Sequence, residues 1–146
     1  MKALLPAPLS RVAVFGAADG LGIVLGLIAG MMVSHQPPSA VWTAAVSGGI
    51  AEFFSMANGQ RISDHDSGAV AALVIGIASL AGCVIPAVPY SFIRGGAALA
   101  VALVLAAAVA GVISWMRPER GSLAILETFG LLAVTGAACV GAGLLT

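Results

Sequence analysis

Five long apolar stretches, separated by short polar breaks, constrain this chain more than any other feature. A bilayer's hydrocarbon core is crossed by about 20 mostly apolar residues in a helix. Segments near 11–33, 39–60, 69–89, 95–116 and 121–146 each reach that length. His35 to Pro38 separates the first pair, Arg61 to Gly68 the second, Pro86 and Pro89 close the third, and Arg117 to Arg120 precedes the fifth. Only 8% of the residues are charged, against 60% hydrophobic, and the mean hydropathy is +1.11. A soluble domain carries about 25% charged residues, so this chain lacks the polar groups to cover a surface in water. The expected fold is therefore all-α: a polytopic membrane protein, one domain over 1–146, with five transmembrane helices and no strand. Short connections make neighbouring helices antiparallel.

Basic residues in the short connections set the expected orientation. Lys2, Arg11, Arg61, Arg117 and Arg120 fall on the N-terminal side, and Arg94 alone on the other. The N-terminus is thus expected in the cytoplasm and the C-terminus outside. The opening MKALLPAPLSR has no signal-peptide layout, since prolines interrupt its short apolar stretch, and is expected to be retained. Net charge is zero, without the single-sign basic patch that a nucleic-acid partner attracts. Cys83 and Cys139 each sit in an apolar run and read as small packing residues rather than a disulfide.

The stretch from Gly16 to Gly22 carries the GxxxGxG spacing of a dinucleotide loop. A nucleotide site also needs alternating strands and helices, and an acid about 20 residues further on. Here serine and alanine stand at 39 and 40, and the intervening sequence is apolar. No nucleotide enzyme is expected, nor a resident cofactor. The glycines suit a membrane helix instead, where small residues let backbones approach closely. On a helix Asp19, Gly22, Gly26 and Gly30 share one stripe, as do Gly48, Glu52, Ser55, Met56 and Gly59.

Three of the six acids lie inside spans: Asp19, Glu52 and Glu127. A charge near the bilayer centre costs about 2.5–3.5 kcal/mol on insertion scales, so each is a functional candidate. Counted at ~1.5 Å per residue from Arg11, Arg61 and Arg120, they lie roughly 12, 13.5 and 10.5 Å deep. Three carboxylates at one level suit a divalent cation or a proton relay. Met56, one turn from Glu52, adds a thioether. Each acid also has a plainer use, as a hydrogen-bonding brace between helices. Asp64, His65 and Asp66, adjacent in a connection, read as a solvated loop.

Three stretches together resemble the vacuolar iron transporter family of ferrous-iron and manganese transporters. "RVAVFGAADGLGIVLGLIAGM" is similar to that family's first span, with an Asp-Gly pair before spaced glycines. "GGIAEFFSMANGQRIS" resembles its second-span signature through Ser55, Met56 and Gly59, and "GCVIPAVPYSF" its Pro-x-x-Pro-Tyr ending. The resemblance implies a homodimer whose ion path is lined by the first two spans. It also implies export of Fe²⁺ or Mn²⁺ from the cytoplasm in exchange for protons, and makes Asp19 and Met56 pathway ligands, with Glu52 placed beside them. Two departures mark a reduced member. Gly59 is followed by Gln60 and Arg61 where the family has Glu-Tyr, and Arg61 to Gly68 replaces a long glutamate-rich segment. A bacterial plasma membrane is the expected location. The contrasting expectation is a non-transporting scaffold or accessory subunit, assembled through its glycine faces.

Overall fold

A computed structural model describes residues 6–63, 68–94, 96–117 and 122–144. Among them the chain is helical, with no strand. The order is α1 (Ala7–Val33), α2 (Pro38–Ser63), α3 (Gly68–Ala87), a 3-10 turn (Val88–Ser91), α4 (Gly96–Met116) and α5 (Ser122–Leu144). Four helices are long and apolar enough to cross a membrane: Pro8–Val33, Pro38–Ser63, Gly68–Ser91 and Gly96–Met116. The apolar part of α5, Leu126–Ala142, is shorter. The sequence predicts five spans; among the described residues four helices reach full spanning length, and the fifth apolar stretch, in α5, falls short of it.

Helix α3 is the centre of the bundle, packed between α1 and α2, while α5 rests mainly on α1. The α1–α3 contact rests on missing side chains. A Cβ on Gly16 would collide with the Ile75 carbonyl, one on Gly20 with the Ser79 carbonyl, and one on Gly82 with the Ala17 carbonyl. Residue numbers rise together across this contact, so α1 and α3 run parallel. Across α2 and α3 they run opposite: Gly49 faces Cys83 and Val84, and Gly76 faces Phe53. Cys83, a free thiol, donates from Sγ to the Ala45 carbonyl at 3.4 Å.

The glycines at close approach are not those of the expected stripes. A Cβ on Gly22, Gly30, Gly48 or Gly59 would meet no atom within 4 Å. Of those stripes only Gly26 is tight, against Cys139 Sγ of α5 at 2.6 Å. The reason is rotational. Gly16 and Gly20, four residues apart, point at α3, while Gly22 points away from it. On α4 a row of alanines at the same interval, Ala98, Ala102, Ala106 and Ala110, is buried against the core of Leu21, Val24, Ile28 and Val41. Alanine brings little side-chain bulk, so helices meet there through dispersion over a short distance.

The far end of the bundle is closed by local chemistry. Helix α1 stops where Ser34 Oγ donates to the Gly30 carbonyl at 2.8 Å, and His35 turns left-handed at φ 55. Such a φ is uncommon outside glycine, but His is among the residues that adopt it. After Pro86 and Pro89, the buried Tyr90 donates its hydroxyl to Met32 Sδ at 3.8 Å. The Pro-x-x-Pro-Tyr ending therefore ties α3 to the end of α1.

Candidate functional site: a carboxyl pair beside an arginine-lipped groove

Helices α1 and α2 bring Asp19 and Glu52 together. Their side chains, both half-buried, come close enough to interact. Two carboxyl groups side by side repel when both are ionised, and hydrogen-bond only when one carries a proton. The pair thus brings up to four carboxyl oxygens to one spot in the membrane-spanning region. Cys83 on α3 directs its own hydrogen bond to the Ala45 carbonyl of α2.

Met56, half-buried, stands one turn along α2 from Glu52. Glu127 is held elsewhere. Its Oε2 accepts from Arg117 Nη2 at 3.3 Å, and Arg117 Nη1 donates to Thr128 Oγ1, also at 3.3 Å. This carboxylate fastens the start of α5 to the end of α4. Asp64, His65 and Asp66 lie outside the described residues. Among the described residues, no three His, Cys, Asp or Glu side chains gather as a metal site. The chain supplies two carboxyls at this spot.

The Arg117–Glu127 pair is only partly shielded, with side chains 28% and 61% exposed. Ion pairs in that condition contribute between 0 and about 1 kcal/mol. Glu127→Gln is therefore expected to lower the melting temperature in detergent by no more than a few degrees, about what 1 kcal/mol gives in a domain of this size. Loss of the folded state would mean that this pair, rather than packing around Gly26 and Cys139, holds α5.

A groove of about 820 Å³ runs between α1, the end of α4 and α5. Asp19 is on its wall, and Arg11 and Arg117 stand at one end. From α5 it receives Thr128, Leu132, Thr135 and Cys139. Their spacing of four, three and four residues is one helical face, a signal legible in the sequence but overlooked beside the acids.

The sequence profile of the VIT family matches residues 10–66. That stretch contains nearly all of α1, all of α2, and with them Asp19, Glu52 and Met56. No curated protein and no solved structure matches the chain. The match covers 57 of the 146 residues, so the arrangement of α3, α4 and α5 stands on the structure alone. Through its first two helices, which carry Asp19 and Glu52, the chain is similar to the VIT family over residues 10–66.

Proposed function

We infer that this protein is a divalent transition-metal transporter, moving Fe²⁺ or Mn²⁺ out of the cytoplasm in exchange for protons. The observation that carries the reading is the Asp19–Glu52 pair, formed between the two helices that match the family. A metal ion and a proton compete for the same oxygens, because only ionised carboxylates are good ligands. Arrival of a proton from outside then favours metal release, and metal binding expels the proton. The metal is cargo, not a resident cofactor, and no covalent chemistry is needed.

The working unit is a homodimer of one-domain, five-span subunits. Helix α2 is the least apolar and the least buried of the four long spans. Its exposed residues include Ser47, Ser55 and Asn58. Polar groups facing hydrocarbon are costly, and a second copy laid against α1 and α2 removes them from lipid. It also brings a second Asp19, Glu52 and Met56 to the path. Glu127 serves mainly as the brace of α5, with metal contact only a secondary role. The excess of basic residues on one side supports a cytoplasmic N-terminus, and a bacterial plasma membrane is the location we propose.

The test is flux in proteoliposomes. Fe²⁺ or Mn²⁺ movement is expected to dissipate an imposed pH gradient, and an imposed gradient is expected to drive the metal in the direction opposite to the protons. Metal-independent decay of the gradient, with no metal flux, would leave the scaffold reading in its place. Met56→Leu keeps the volume but removes the soft ligand. It is expected to reduce the preference for Fe²⁺ or Mn²⁺ over Ca²⁺ by about tenfold, the lower end of what ligand-shell changes cost. An unchanged preference would remove Met56 from the path.

A further inference from the structure

We propose that the groove between α1, α4 and α5 binds one anionic phospholipid, with its phosphate at Arg11 and Arg117 and an acyl chain along the apolar walls. The two arginines share one end of the groove. Beyond them the walls are mostly hydrocarbon, with Val14, Ala18, Leu21 and Leu132 among them. From Arg11 to Leu27 the groove follows α1 for sixteen residues, roughly 24 Å at the helical rise. One leaflet of a ~30 Å hydrocarbon core is about 15 Å deep, so a chain of full leaflet length fits. The volume, about 820 Å³, lies within the range of sites that enclose small amphiphiles.

Charge selects the headgroup. Arg11, Arg117 and Glu127 together leave the mouth with one net positive charge, and a phosphodiester carries one negative. Arg117 keeps its bonds to Glu127 and Thr128, and the exposed Arg11 supplies the second guanidinium, a group shaped for phosphate oxygens. Basic pockets between transmembrane helices bind anionic lipid headgroups in this way. Asp19 lies eight residues from Arg11, roughly 12 Å along the helix, and its neighbour is Glu52. It therefore lies out of reach of the phosphate. An unfilled groove would forfeit dispersion along its whole length, and the bilayer holds the filler at high concentration.

The proposal is independent of transport and is tested by lipid binding to the full chain. Delipidated protein in detergent is titrated with phosphatidylglycerol or phosphatidylcholine, with bound lipid counted by native mass spectrometry. Wild type is expected to bind phosphatidylglycerol about tenfold more tightly, the effect of one charge-assisted hydrogen bond. Arg11→Gln is expected to remove that preference. Gly22→Leu is expected to weaken both lipids, because its side chain enters the groove at a position where a Cβ meets no atom. Equal binding of the two lipids by wild type overturns the proposal, as does undiminished binding by both variants. A change of oligomeric mass in Gly22→Leu, without loss of lipid, overturns it too, since a second copy then covers the groove.

Discussion

Gly20→Leu is expected to yield no folded protein, while Gly22→Leu, two residues away, folds as the wild type does. A Cβ at position 20 would sit inside contact distance of the Ser79 carbonyl, and 3.0 Å from the Cys83 nitrogen. Those atoms are backbone of α3, so no rotamer change can relieve the clash. Helix α1 would have to withdraw from α3, opening the most extensive helix contact in the bundle. Even Gly20→Ala is expected to cost about 1–3 kcal/mol, the usual effect of overpacking. Alanine gains about 1 kcal/mol of helix propensity over glycine, which offsets only part of that. Thermal unfolding in detergent, followed with size-exclusion profiles, separates the variants. A Gly20→Leu protein that melts with the wild type would mean that α1 and α3 do not meet here.

Asp19→Asn is expected to lower Fe²⁺ and Mn²⁺ flux about 100-fold, the upper range for disturbing a metal's ligand shell, with the melting temperature little changed. The amide is of the same size and can donate to the Glu52 carboxylate, so α1 and α2 stay together while one metal-binding charge is lost. Glu52→Gln is expected to act alike. The double variant should be no worse than the poorer single one, because residues in contact are coupled and their effects do not add. Two outcomes would sink this reading. Wild-type flux in both single variants would make the pair a structural brace, and strictly additive losses would mean that the two acids act at separate points.

Much of the bundle is legible in the sequence, for a simple reason. The length of an apolar run and the breaks between runs are local properties, and hydrocarbon permits few backbones other than the helix. The observed α2 and α4 lie close to the ranges expected from those breaks. The acids stand out by the same logic, since an ionisable residue in a span is conspicuous wherever its partner lies. The depth estimate set Asp19, Glu52 and Glu127 at one level. It could not tell that Asp19 pairs with Glu52 while Glu127 turns to Arg117. Depth is one coordinate, and contact also requires the rotation of each helix about its axis.

The glycines make the same division. Sequence alone determined that α1 is glycine-rich and therefore able to pack closely. Counting steps from Asp19 picked out Gly22, Gly26 and Gly30, whereas Gly16 and Gly20 meet α3 backbone. Both sets are regular stripes on one helix, and nothing local distinguishes them. Which stripe is used depends on where α3 and α5 come to rest, and that is settled by packing between residues more than fifty positions apart. The helices and their acids were thus written into composition and spacing. The pair, the groove and the brace on α5 were decided only by the bundle, because each is a relation between helices and no single helix contains it.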